Sequence, residues 1–280
     1  MRFWKMNGAG NDFLIFNNMD GSIPAHQFTI LAKTLCERHL SIGADGLMAV
    51  EPAQGDADFR MRFYNADGSM GEMCGNGARC ICRYGYELGL AGETQRIETT
   101  AGLVTGQRID KRHYRIRLND PSILRMDYPV EVNGFRYDGA YAELGNPGLP
   151  HAIIPMKQLA DLPRQELFAL GRSLRYHPAY PKGANVNFCE VIGEDHILVR
   201  TYERGVEDFT YACGTGAGST TAILTLLGQV TGQKVRVSMP GGDLLITAER
   251  CGDTITALWL TGPTNTVCTG EVTDEDLNLI

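Results

Sequence analysis

Two short segments half a chain apart are near copies: Cys74-Gly75-Asn76-Gly77-Ala78 and Cys213-Gly214-Thr215-Gly216-Ala217, separated by 139 residues. Their surroundings match in the same order. Gly43-Ala44-Asp45 corresponds to Gly183-Ala184-Asn185, Arg62-Phe63-Tyr64-Asn65 to Arg200-Thr201-Tyr202-Glu203, and Ala101-Gly102-Leu103-Val104 to Gly241-Gly242-Asp243-Leu244, with spacings of 138 to 140 residues. A repeat this long is a duplicated domain, since solenoid units are far shorter. The boundaries it predicts are 1–119 for the half with Cys74 and 120–265 for the half with Cys213, with a C-terminal strand, 266–280, returning to the first half. A cleft between two such halves is a natural place for a ligand.

Segments rich in β-branched and aromatic residues and bounded by Gly, Asp or Pro predict strands over 13–17, 59–64, 96–100, 114–118, 196–202, 234–238 and 254–260. Apolar periodicity predicts helices over 25–39 and 165–174, and over 76–88 and 215–227 directly after the two Cys-Gly-x-Gly motifs. Gly89 and Gly228 stand where helix C-caps are expected. This mixed order predicts an α+β fold.

The 280 residues carry a formal charge of −7 with 43 % hydrophobic side chains, which argues against a general nucleic-acid surface. No apolar run has the roughly 18–20 residues of a membrane span, and the first residues do not read as a secretory signal, so a cytoplasmic protein is expected. In that compartment, eight cysteines in a chain this long are read as thiols. Neither a CxxC pair nor zinc-like spacing occurs, and no metal site is expected. Gly214-Thr215-Gly216-Ala217-Gly218 lacks both the GxGxxG spacing and the Lys-Ser/Thr of phosphate-cradling loops.

In both halves a tyrosine-containing strand leads through a polar turn to cysteine, glycines and an apolar helix. Each cysteine is therefore placed at a helix N-terminus, where free amides and the dipole favour an anion. Such a site lowers a thiol pKa from about 8.5 toward roughly 3.5–7.5. Two equivalent cysteines suit stereoinversion, in which one group removes a proton and a second of similar basicity delivers one to the opposite face. One would be thiolate and the other thiol, as a coupled pair. The amides of Gly75, Asn76, Gly214 and Thr215 are candidate donors to a substrate carboxylate as charge builds in it. Buried packing cysteines, an amino-acid-binding protein without catalysis and a thiol–disulfide enzyme are the competing readings.

At these residues the sequence resembles the diaminopimelate epimerase family, essentially from end to end. The resemblance is carried by Met6-Asn7-Gly8-Ala9-Gly10-Asn11-Asp12-Phe13, by Asn65-Ala66-Asp67-Gly68-Ser69 with Cys74 to Cys80, by Glu203-Arg204-Gly205 with Ala212 to Ala217, and by Pro240-Gly241-Gly242 and Thr261-Gly262-Pro263. It implies two pseudo-symmetric domains, each a mixed barrel-like sheet around a central helix. It also implies cofactor-independent interconversion of LL- and meso-2,6-diaminopimelate, on the path to lysine and peptidoglycan, by a homodimer. Cys74 and Cys213 would be the acid–base pair. Asn65, Asn146, Asn185, Glu203 and Arg204 would hold the non-reacting end of the substrate, and Asn11 would line the site.

Two departures from the family pattern touch the expected site. Gly-Asn-Pro-His appears as Gly145-Asn146-Pro147-Gly148-Leu149-Pro150-His151, three residues longer. Where Gly-Glu-Thr is common, Phe209 and Tyr211 add aromatic bulk close in sequence to Cys213. An altered distal pocket is expected from them, which keeps a related racemase for another amino acid, such as histidine, as the alternative. His151 is read equally as a packed residue or as an aid to catalysis.

Overall fold

The computed structural model describes residues 1–71, 74–273 and 277. The chain divides into two units, Met1–Ile116 with Gly262–Ile280, and Arg117–Thr261. Residues 274–276 and 278–280 of the expected C-terminal strand lie outside the described residues.

In the first unit the strands Arg2–Gly8 and Asn11–Asn17 form a hairpin, with Phe3 opposite Phe16 and Gly8 opposite Asn11. Helix α1 (Ala25–Leu35) then crosses to strand Gly46–Glu51, which runs parallel to Asn11–Asn17 and antiparallel to Phe59–Asn65. Helix α2 (Gly75–Glu87) makes a second crossover to Thr94–Thr99, parallel to Phe59–Asn65, and two antiparallel strands follow, Gly102–Arg108 and His113–Arg117. Strand Asn265–Glu271 pairs with the free edge of Arg2–Gly8.

The second unit repeats this order. Pro121–Arg125, Ala140–Leu144 and Leu149–Pro155 are antiparallel neighbours. Helix α3 (Arg164–Arg175) crosses to the parallel strand Asn185–Gly193, followed by antiparallel His196–Glu203. Helix α4 (Gly214–Leu226) crosses to the parallel strand Val235–Met239, and Gly242–Cys251 and Thr254–Pro263 complete the sheet. Eight strands and two crossover helices thus share the same parallel and antiparallel pairings in both units, with the edge strand last in the chain in the first unit, Asn265–Glu271, and first in the second, Pro121–Arg125.

The two helices of each unit differ in kind. Helices α2 and α4 are buried nearly all round, over Asn76–Gly85 and Gly216–Thr225, as a helix inside a curved sheet must be. Helix α2 touches Arg2–Gly8 and Gly102–Arg108, each one strand in from an end of its sheet. That enclosure depends on close approach: a Cβ on Gly106 would lie 2.2 Å from Sγ of Cys82. Helix α1 covers the outer face with a stripe of Phe28, Leu31, Ala32 and Leu35 packed on Phe3, Leu14, Phe16 and Tyr64. Phe13, Leu14, Ile15 and Phe16 are all buried because their strand has a helix on each side.

Both inner helices end in the same way. Gly89 (φ 67°) donates to Tyr86 while Leu90 donates to the carbonyl of Gly85; Gly228 (φ 69°) donates to Thr225 and Gln229 to Leu224. These are two Schellman caps, at the glycines the sequence marked. Helix α1 is shorter than expected, stopping at Leu35 instead of His39. The amides of Gly43 and Ala44 take the carbonyls of Leu35 and Cys36, turning the chain back toward Asp45. Among the described residues no helix is long and apolar enough to cross a membrane.

Candidate active site

In each unit the cysteine is the N-cap of the inner helix. Cys74 (φ −119°, ψ 118°) and Cys213 (φ −116°, ψ 106°) share one extended backbone conformation. Their carbonyls accept the first helical hydrogen bonds, from Ala78 at 2.8 Å and Ala217 at 2.9 Å. Each therefore stands beside the unsatisfied amides of a helix start, as the motif required. Cys213 is 6 % exposed and Cys74 more so. Sγ of Cys213 accepts from the amide of Gly216 at 3.4 Å and lies 3.6 Å from Oγ1 of Thr215.

The other buried thiols are of a different character. Cys36, Cys80, Cys82 and Cys189 lie in the cores, and burial pushes each thiol up to about 12. They are packing residues.

In the first unit, Nδ2 of the buried Asn76 donates to Oδ1 of Asn11 at 2.6 Å, and Nδ2 of Asn11 donates to Oδ2 of Asp45 at 3.2 Å. The second residue of the helix and the hairpin turn of the first two strands are thereby joined. Beneath them lies a charge cluster that sequence reasoning missed: Asp12 is held by Arg38 at 2.6 Å and Lys5 at 3.1 Å. Burial raises the Asp12 carboxyl, but the hydrogen bonds from Arg38 and Lys5 outweigh it and keep the group below its ordinary range. Asn65 closes the turn after its strand, its side chain donating to Oγ of Ser69 at 2.9 Å.

The second unit gathers more of the expected residues. Asn185, 3 % exposed, accepts the amide of Arg204 at 2.8 Å, and the Arg204 guanidinium donates to the carbonyl of Lys182 at 3.1 Å. Burial raises the Glu203 carboxyl, opposed by the Thr210 hydroxyl, which donates to Oε2 at 2.8 Å. His151 is fully buried opposite Asn185 in the parallel pairing, and burial, with the charge of Arg204, lowers it to about 3. It is neutral at physiological pH, with Nδ1 3.3 Å from Nδ2 of Asn187. Because that same amide nitrogen donates to the carbonyl of Ala152, Nδ1 is the acceptor and Nε2 carries the proton.

Asn187 and Thr201 were not foreseen. Thr201 donates to Oδ1 of Asn187 at 2.9 Å, and both side chains face Gly216: a Cβ there would fall 2.3 Å from Asn187 Oδ1 and 3.2 Å from Cys213 Sγ. The available signal was alternation, since Asn187 is two residues from Asn185 on the same face of a strand.

The structure also shows where the two departures lead. The segment from Asn146 to Gly148 is the turn of a hairpin. Leu149 pairs with Leu144, Pro150 with Glu143 and His151 with Ala142, so Asn146 is carried to an exposed turn five residues before His151. Among the described residues its side chain takes no part in the network around Asn185 and Arg204. Phe209 is a correction to the expectation of bulk beside Cys213. It pairs with Tyr202, and its ring packs on Tyr202 at 5.9 Å and Phe188 at 6.2 Å, in the outer core under α3. Sheet alternation directs it to the face opposite α4.

This architecture is found in solved racemase structures. A hydroxyproline epimerase from Agrobacterium vitis superposes with a TM-score of 0.68 over 97 % of this chain and 90 % of its own, at 19 % identity, a likeness of fold. The particular family is set by sequence. The diaminopimelate epimerase family model matches residues 3–122 and 144–267, and the chain belongs to that family. The diaminopimelate epimerase of Aquifex aeolicus is 36 % identical over 99 % of both chains, and that of Archaeoglobus fulgidus is 40 % identical over 87 % of this chain and 88 % of its own.

Proposed function

We propose that the protein is an isomerase that interconverts LL- and meso-2,6-diaminopimelate without a cofactor, using Cys74 and Cys213 as paired acid and base. The observation that carries this reading is the equivalence of the two cysteines: the same N-cap conformation, at the start of the equivalent enclosed helix, in two units with matching strand pairings. A reaction that runs in both directions exchanges the roles of its acid and base, so the two need matched environments.

One thiolate takes the α-proton and the other cysteine, as thiol, protonates the opposite face. The developing carbanion places charge on the α-carboxylate, and amides at the helix starts, those of Gly75, Asn76, Gly214 and Thr215, are suited to hold it. Arg204 suits the distal carboxylate, while Glu203 and the amide oxygens of Asn65 and Asn185 suit the distal ammonium, with Asn11 lining the site. Asn146, on the exposed turn, contributes least in this reading. Family membership favours diaminopimelate over histidine. We further infer a homodimer of the cytoplasm, in the synthesis of lysine.

Chiral separation of amino acids after incubation with LL-diaminopimelate tests the assignment. Appearance of the meso form, undiminished by a scavenger of pyridoxal phosphate, is expected. Inversion of L-histidine, with diaminopimelate untouched, would replace diaminopimelate by the alternative substrate.

A further inference from the structure

A cavity of about 560 Å³ lies wholly within the second unit, on the outer side of its sheet. Its walls are Leu162, the start of α3 (Arg164 and Leu167), Arg200 of strand His196–Glu203, and Asp208 to Tyr211. Phe209 and Tyr202 share the α3 face, whereas Thr201 faces α4, so the part of the cavity walled by Arg200, Phe209 and Leu167 is on the side of the sheet opposite Cys213, with Thr210, whose hydroxyl holds Glu203, at its rim.

The duplication provides an internal control for what this cavity lacks. In the first unit Arg62 stands opposite Ala49, and its Nε donates to Oε2 of Glu51 at 2.8 Å. Its counterpart Arg200 stands opposite Phe188 in the equivalent pairing, which makes Glu190 the counterpart of Glu51. Glu190 is engaged elsewhere: its two oxygens accept the amides of Gln158 at 2.8 Å and Leu159 at 2.9 Å. Among the described residues, the buried Nε of Arg200 consequently has no hydrogen-bond partner. Burying a guanidinium edge without an acceptor is unfavourable, and a carboxylate is its best complement.

Charge and shape narrow the ligand. Arg164 is neutralised by Asp208 at 2.5 Å and lies 5.8 Å over the ring of Phe209. Among the described residues no carboxylate pairs with Arg200, which calls for a single negative charge. Leu162, Leu167 and Phe209 supply apolar wall, and Tyr211, 63 % exposed, stands at the margin. We propose that this cavity binds a small organic monocarboxylate, with its carboxylate on Arg200 and its apolar body against Phe209, Leu162 and Leu167. The volume suits a molecule of that size. The inference is independent of the reaction assigned to the cysteines.

The test is a titration of the full chain with 3-phenylpropanoate and with its neutral amide, followed by calorimetry and by the methyl resonances of Leu162 and Leu167. Saturable binding of the acid that moves these resonances is expected, with the amide at least about tenfold weaker, as befits loss of a charge-assisted contact. Arg200→Gln should weaken the acid by a similar factor and leave turnover unchanged. The proposal is overturned if the acid does not bind, if it moves only resonances elsewhere, or if acid and amide bind alike. It is equally overturned if a folded R200Q binds as tightly as the parent. Should that variant not fold, the comparison of acid and amide on the parent protein decides.

Discussion

The amide of Gly216 donates to Sγ of Cys213 across 3.4 Å, so the residue capping α4 takes one of that helix's own unsatisfied donors. Such a hydrogen bond favours the thiolate over the thiol. The position admits no side chain, since a Cβ would lie 2.3 Å from Oδ1 of the buried Asn187. Gly216→Ala is expected to displace Asn187, to destabilise the protein by about 1–3 kcal/mol through overpacking, and to lower kcat by more than KM changes. Thermal unfolding and steady-state kinetics read the two effects; a fully active, fully stable variant would remove Gly216 from the account.

Replacing either capping cysteine should be equally damaging. Cys74→Ser and Cys213→Ser keep the shape but substitute a far weaker acid and base, and each should lower kcat in both directions by about 10²–10⁴-fold. Circular dichroism should show both variants folded. Retention of near-normal turnover by one of them would refute a paired role.

The two Schellman glycines allow a comparison between the halves. Gly89 (φ 67°) and Gly228 (φ 69°) have open space where a Cβ would stand, so alanine at either meets only the left-handed backbone penalty. Each substitution should cost about 1 kcal/mol in denaturant unfolding, and activity should be unchanged. A much larger loss at one glycine alone would show that its helix end has a second function.

His151 makes stability depend on pH. Its folded pKa of about 3 lies below the ordinary value of 6.5, so the unfolded chain binds the extra proton between those limits. The contribution is complete above pH 6.5 and is lost as pH falls toward 3. At pH 5 the loss should be about 2 kcal/mol, and His151→Gln should abolish that part of the pH dependence. Parallel stability–pH curves for parent and variant between pH 7 and 5 would contradict a buried, neutral imidazole.

Much of this was legible before any coordinates, because it is written in local chemistry. The Cys-Gly-x-Gly blocks predicted two helix N-caps, Gly89 and Gly228 predicted two C-caps, and the spacing of the copies predicted a duplicated fold. What was missed depends on long-range pairing. Asp12 acquires meaning only when Arg38, 26 residues away, turns back to it. Asn187 becomes part of the site only when Thr201 and Gly216 are brought against it. Phe209 reads as a neighbour of Cys213 until strand alternation sends its ring to the opposite face. Two of the strands missed, Gly46–Glu51 and Ala140–Leu144, are buried along their whole length and lack the alternation that marks a half-exposed strand, whereas Gly102–Arg108 and Gly242–Cys251 begin at exposed glycine turns and carry polar residues on their open face.

The most direct test of the paired-cysteine claim is the fate of hydrogen in heavy water. Early in the conversion of LL-diaminopimelate, before product returns, two separate groups would put solvent deuterium into the inverted centre of the meso product. The LL substrate recovered at that time should retain its original α-hydrogen, because the group that abstracts a proton is not the one that delivers its replacement. Recovered LL substrate that gains deuterium as fast as product forms, or meso product that keeps the original hydrogen, would contradict the account.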